Sequence, residues 1–194
     1  MCKDLKRDLK TSHIPVVLHT ARGSVEFKLE GLESGADEYV PKPFNPTLLQ
    51  LKVKNLINRR NALHAYFKEQ GILNLEPKRV TLSSADELFI RTALELVELN
   101  MSNALYTVEE MSRDVGMSHT QLYRKIKALT GQTINEFIRA IRLKRAAQLL
   151  EQHQLTVSQV TYKVGFTDLQ HFRECFKKMY GFTPTQYAQR SGEG

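Results

Sequence analysis

The sequence predicts a mainly α-helical protein: a seven-helix domain with two helix-turn-helix units joined by a long helix, preceded by a partial α/β segment. Three observations lead there. A segment at 107–137 recurs at 156–187, each copy reading as a short helix, a glycine turn and a second helix. Helix starts across the C-terminal half are marked by Ser/Thr-x-x-Glu/Gln capping boxes. Apolar residues between those starts recur at the helical period.

Taken in order, Leu5 and Leu9 belong to a short charged helix, and Ile14-Pro15-Val16-Val17-Leu18 is a continuous apolar run ending at His19-Thr20-Ala21. Such a run predicts a strand buried on both faces. A helix around Val25–Ser34 follows, ended by Gly35. Glu38-Tyr39-Val40 predicts a second strand, ended by Pro41-Lys42-Pro43-Phe44. Leu48, Leu49, Leu51, Val53, Leu56 and Ile57 mark a helix whose pattern persists to Leu63, Tyr66 and Phe67. This β-α-β-α order predicts a parallel pair of strands, too few for a sheet covered on both faces.

Residues 68–84 read as a linker punctuated by Gly71, Pro77 and Ser83-Ser84, with Val80-Thr81-Leu82 extended. The domains expected are therefore 1–67, the linker 68–84, a helical domain at 85–190 and a tail at 191–194.

Within 85–190 the helix starts are Ser84-x-x-Glu87, Thr107-x-x-Glu110, Ser118-x-x-Gln121, Thr133-x-x-Glu136, Thr156-x-x-Gln159 and Thr183-Pro184-x-Gln186, with Asp168 capping the remaining helix. In the first repeat Val108, Met111 and Val115 form an apolar stripe, Gly116 turns the chain, and Leu122, Ile126 and Leu129 are expected inside. In the second, Val157, Val160 and Val164 correspond, Gly165 turns, and Phe172, Phe176 and Met179 are expected inside.

The faces left outside are His119, Thr120, Tyr123, Arg124 and Lys127 in the first unit. In the second they are Leu169, Gln170, Arg173, Glu174 and Lys177. Hydrogen-bonding and cationic side chains mixed on one helix suit the DNA major groove, whose base edges carry a unique donor and acceptor code. The helix between the units, Thr133 to Leu150, spans about 25 Å. Its Arg139, Arg142, Lys144 and Arg145 either touch phosphates or form a solvated face.

Composition is consistent with this. The formal charge is +7, from 28 Lys+Arg and 21 Asp+Glu. Residues 107–190 are the most basic part, with 13 basic and 7 acidic side chains. A polyanionic partner, double-stranded DNA, fits that distribution. Cys2 and Cys175 do not make a disulfide framework, and Cys175 reads as a small, partly buried hydrophobe between Phe172 and Phe176. The histidines are scattered, no Cys/His pair has metal spacing and no glycine-rich phosphate loop occurs, so neither an enzyme nor a metal or cofactor is expected. No apolar run is long enough to span a membrane and no leader is visible, so membrane contact is not expected and the cytoplasm is the expected location.

Ala146-x-x-Leu149-Leu150, Val164-Gly165-Phe166, Phe172-x-x-x-Phe176-Lys177-Lys178, Gly181 and Thr183-Pro184-x-x-Tyr187 resemble the DNA-binding domain of the AraC/XylS transcription regulators, over 85–190. By that resemblance the base-facing positions are His119, Thr120, Tyr123 and Arg124, then Leu169, Gln170, Arg173 and Glu174. Glu174 departs from the arginine often found there. An acid among phosphates is tolerated where it accepts from a cytosine amine or pairs with Arg173.

Residues 1–60 resemble the C-terminal half of a response-regulator receiver domain, on the strand ending in Thr20-Ala21, on Gly35-Ala36-Asp37-Glu38-Tyr39 and on Lys42-Pro43-Phe44. The resemblance implies Thr20 as the switch hydroxyl, Tyr39 as the switch aromatic and Lys42 as the phosphoryl-contacting cation. The family's phosphoacceptor aspartate lies on an earlier strand that these residues do not include.

Together the two parts resemble the C-terminal end of a hybrid two-component regulator. That implies a transcription regulator, an activator of carbohydrate-utilisation genes, dimerising through the receiver segment and its last helix, with RNA polymerase as a further contact. The apolar stripe from Leu49 to Phe67 is the candidate interface. The alternative is a phosphorylation-controlled protein-interaction module without sequence-specific DNA binding.

Overall fold

The computed structural model describes residues 1–20, 35–70 and 83–191, the side chains of 66–70 and 191 excepted. In chain order the elements are α1 (Cys2–Arg7), β1 (Val17–Thr20), β2 (Glu38–Pro41), α2 (Pro46–Gln70), α3 (Ser84–Leu99), α4 (Val108–Val115), α5 (His119–Thr130), α6 (Ile134–Glu151), α7 (Val157–Lys163), α8 (Leu169–Tyr180) and α9 (Pro184–Ser191). The protein is mainly helical, and α3 to α9 are the seven helices that the capping signals predict. The chain divides into two compact units, Met1–Arg91 with Thr120–Gln132, and Thr92–His119 with Thr133–Gly194.

In the first unit β1 and β2 pair in parallel, Val17 opposite Glu38 and Thr20 opposite Pro41. Asp37 fixes the start of the pair by accepting from the Val16 amide at 2.7 Å and holding Lys6 at 2.5 Å. Lys52 of α2 holds Glu38 at 2.5 Å. Tyr39 and Val40 are buried, but β1 is not enclosed on both faces: Val17 and Leu18 are half-buried and His19 is exposed. A two-stranded sheet offers no second layer to cover it. The apolar positions of α2 are also largely open, with Leu48, Leu51, Val53 and Ile57 exposed and Leu63 buried. The expected helix at Val25–Ser34 and residues 71–82 of the expected linker lie outside the described residues; Gly35, the expected stop, has φ 83°.

Local chemistry sets the later helix starts. Thr107, Thr133 and Thr156 each accept from the amide three residues on, while Glu110, Glu136 and Gln159 reach back to the cap amide. Thr183 and Gln186 make the same exchange, and Asp168 accepts from the His171 amide. The α3 start is one residue earlier than its sequence signal: Ser83, not Ser84, accepts from the Asp86 amide at 3.2 Å.

The second unit is built on α6, whose small and branched residues face an aromatic cluster. Leu143, Ala146, Ala147, Leu149 and Leu150 pack with Val160, Val164, Phe166, Phe172 and Phe176. Phe172 and Phe176 are 5.7 Å apart between centroids, and Phe176 meets Tyr180 at 4.6 Å and Tyr187 at 5.4 Å. Ring pairs at these spacings add about 0.5–1.5 kcal/mol each beyond area burial. Met179, expected inside, is 42% exposed. Tyr180, one position on, packs against the cluster instead, with its ring stacked at a tilt on Phe176.

Candidate nucleic-acid interface

Both units present a helix whose two faces differ in kind. On α5, Leu122, Ile126 and Leu129 are buried, while His119, Thr120, Tyr123, Arg124 and Lys127 are exposed on one side. The turn before it needs Gly116, whose φ of 71° a side chain resists. Lys127 donates to the Gly131 carbonyl at 2.6 Å, so its cation sits at the C-terminal end of its own helix.

On α8, Phe172 and Phe176 are buried and Gln170, Arg173, Glu174 and Lys177 are exposed. Leu169 is half-buried and packs against the aromatic cluster. Glu174 is held by its own helix, accepting from Gln170 Nε2 at 2.8 Å. That neutral partner is neither the cytosine amine nor the Arg173 considered for it in the sequence, and the bond takes up two of the second unit's candidate reading groups at once. Cys175 is half-buried against the cluster, as its sequence neighbours suggest.

The turn of the second unit is tighter than the first. Gly165 has φ 77°, and a Cβ there would stand 2.4 Å from the Met101 carbonyl oxygen. Arg142 of α6 donates to Gly165 O at 3.2 Å and to Asn103 O at 2.7 Å. It is therefore a bracket inside the unit, a role the basic stripe of α6 did not disclose in sequence. Arg145, by contrast, is exposed and donates to Gln148 at 2.9 Å.

Sequence reasoning also missed Lys125. It is fully buried on α5, and its ammonium donates to Asp86 Oδ1 at 2.7 Å, Ser12 Oγ at 2.6 Å and Leu9 O at 2.5 Å. Ser12 in turn donates to Asp86 at 2.6 Å. Burial would raise the Asp86 carboxyl, but hydrogen bonds from Lys125 and Ser12 outweigh it and hold it below the usual carboxylate range. The signal was available: Lys125 sits three residues after Leu122 and four before Leu129, on the buried stripe.

In the first unit Thr20 ends β1, Tyr39 is buried on β2 opposite Leu18, and Lys42 follows β2 with an exposed side chain. The Lys42 amide donates to Thr20 O at 2.7 Å, which brings the two ends together. Among the described residues no group of His, Cys, Asp and Glu is arranged to hold a metal ion, and no helix is long and apolar enough to cross a membrane.

The helix-turn-helix domain family matches residues 111–190. A transcriptional regulator with an AraC-type DNA-binding domain, from Chromobacterium violaceum, superposes with a TM-score of 0.52 at 25% identity, over 57% of this chain and 97% of that one. Over its whole length the chain is 48% identical to histidine kinase P4 of Formosa agariphila, of which it spans 14%. The N-terminal part matches receiver domains, including that of the phosphate regulon regulatory protein PhoB of Escherichia coli. The match to PhoB is 40% over 87 residues, 44% of this chain and 38% of PhoB. The chain thus spans well under half the length of P4 and of PhoB.

Proposed function

Because residues 111–190 match an AraC-type helix-turn-helix DNA-binding domain, with receiver-domain sequence ahead of it, we propose that the chain is the output end of a hybrid two-component regulator. It reads double-stranded DNA in a sequence-specific manner and activates carbohydrate-utilisation genes as a homodimer joined through the receiver segment and α2, with RNA polymerase as a further contact. The reading rests above all on the two exposed polar and cationic helix faces, each backed by buried apolar residues and each following a left-handed glycine turn.

The first unit carries the stronger base readout. Tyr123 and Arg124 are exposed on α5, and Arg124 has the fork that grips a guanine edge. On α8, Leu169 packs inward and Gln170 is joined to Glu174, which leaves Arg173 and Lys177 for phosphates. Thr20, Tyr39 and Lys42 are the switch positions of the receiver segment in the whole protein.

A salt titration of the chain on a duplex selected from a randomised pool tests this, with Arg124→Ala beside it. A steep fall of log affinity with log salt is expected. Arg124→Ala is expected to lower affinity for the selected duplex by about 1–3 kcal/mol with helicity unchanged. Weak, salt-insensitive binding would instead favour the interaction-module alternative.

A further inference from the structure

The back of α5 is finished by residues from the other end of the chain. An ammonium group has three protons to donate, and those of Lys125 go to Leu9 O, Ser12 Oγ and Asp86 Oδ1. Two of those three acceptors belong to the receiver segment. All three side chains involved are buried, with Lys125 at 0%, Ser12 at 2% and Asp86 at 5% exposure. The turn that offers them is itself braced, since the Thr11 and Ser12 amides both donate to Asp8 O and the Thr11 hydroxyl donates to Leu5 O. A second contact runs alongside: His64 of α2 donates from Nε2 to Ala128 O at 2.8 Å, and its ring lies against Gly131.

Geometry decides what such a contact does. At 3.6 residues per turn, Lys125 points about 160° away from both Tyr123 and Lys127 around the α5 axis. The receiver segment therefore holds α5 from behind and leaves Tyr123, Arg124 and Lys127 open, as their exposure requires.

We propose that the Leu9–Ser12 turn is a docking surface for the Lys125 face of α5 and acts as a buttress for the reading helix, not as a cover over it. Lys125 is on this view a positioning residue for DNA readout. Any shift of the receiver segment that moves the turn alters the hold on α5, and DNA bound to α5 steadies the turn in return, because such coupling is reciprocal. The proposal rests on α5 being a DNA-reading helix.

The test uses the whole chain, a duplex selected by that chain from a randomised pool, and Ser12→Ala, which leaves Asp86 and Lys125 paired. Affinity for the selected duplex is expected to fall by about fivefold or more, with affinity for random duplex and helicity unchanged. Hydrogen exchange of the α5 amides is expected to quicken in Ser12→Ala, and exchange of amides 9–14 to slow when the unaltered chain binds the selected duplex. In a Lys125→Met background Ser12→Ala is expected to lower affinity for the selected duplex no further, although the hydrogen bond from Ser12 to Asp86 is still lost, whereas an effect on DNA exerted without Lys125 would persist there. Unchanged affinity in Ser12→Ala, or unchanged α5 exchange, would overturn the proposal, and so would a rise in affinity, which would make the segment a brake. Failure to select any duplex would overturn the DNA reading and with it the DNA coupling, while the exchange of α5 would still show whether the turn buttresses the helix.

Discussion

Arg142 donates from Nη1 to the carbonyl of Gly165 over 3.2 Å, so a basic residue of the connecting helix closes the turn of the second helix-turn-helix unit. Its other arm reaches Asn103 O at 2.7 Å. A guanidinium that ties two loop carbonyls within one unit acts on stability first and on DNA only through it.

Arg142→Ala should therefore lower unfolding stability by about 1–3 kcal/mol, because the Gly165 carbonyl, part-buried, loses its donor, while the exposed Asn103 carbonyl can turn to water. Arg142→Lys should recover little of it, because a single ammonium does not span both carbonyls in the fixed geometry of the fork. Urea unfolding checks both. A variant with wild-type stability and weakened DNA binding would return Arg142 to the phosphate contacts.

The two turn glycines look equivalent in sequence and are not equivalent in space. Both have positive φ, but nothing lies within 4 Å of a Cβ built on Gly116, while one on Gly165 meets Met101 O at 2.4 Å. Gly116→Ala should cost about 1–2 kcal/mol from backbone conformation alone. Gly165→Ala adds a clash with backbone and should cost at least about twice that. Thermal unfolding of the two variants side by side measures the difference, and equal shifts would contradict it.

Removing one partner of a buried ion pair strands the other, at about 3–5 kcal/mol. Lys125→Met and Asp86→Leu should each fall in that range. The double variant should lose much less than the sum, since no charge is left uncompensated. A double-mutant cycle by denaturant unfolding reads the coupling directly, and additive losses would show that the pair is not a unit.

The same cluster sets an acid limit. Burial, with the charges of Lys125, Arg60 and Lys6 against that of Asp86, pushes the His13 imidazole down from 6.5 to about 4. Below pH 6.5 the unfolded chain takes up a proton that the folded chain refuses until about pH 4. Stability is therefore lost as pH falls through that window, by about 1–2 kcal/mol after discounting for solvent around a half-buried ring. Asp86 acts lower. Its carboxyl is held below 3.8, so its contribution is present above that value and disappears as pH falls through the lowered one. His13→Gln should flatten the slope between pH 6.5 and 4 in melting experiments and leave the acid limb of Asp86 in place. An unchanged slope would remove His13 from the account.

What could be read in the sequence was what is decided locally. The Thr107, Thr133 and Thr156 boxes need only three residues each, and all three form as their spacing predicts. Gly116 and Gly165 were readable as turns for the same reason. Ser83 displaced Ser84 as the cap of α3 because adjacent serines carry the same signal, and tertiary placement of Asp86 decides between them. Lys125 and Arg142 were not read because their partners are remote. Lys125 meets residues 39, 113 and 116 positions away, and Arg142 meets carbonyls 23 and 39 away. A charged residue on an apolar stripe announces that it has a partner, but helical period does not say which.

The distance between Ser12 and Lys125 along the chain has a consequence during synthesis. Ser12 leaves the ribosome 113 residues before the lysine it will meet. At 5–20 residues per second that is a wait of about 6–23 s. Throughout it the turn has no cation to hold, although Asp86 of α3 is made earlier, so the N-terminal unit can be completed only after α5 has been made.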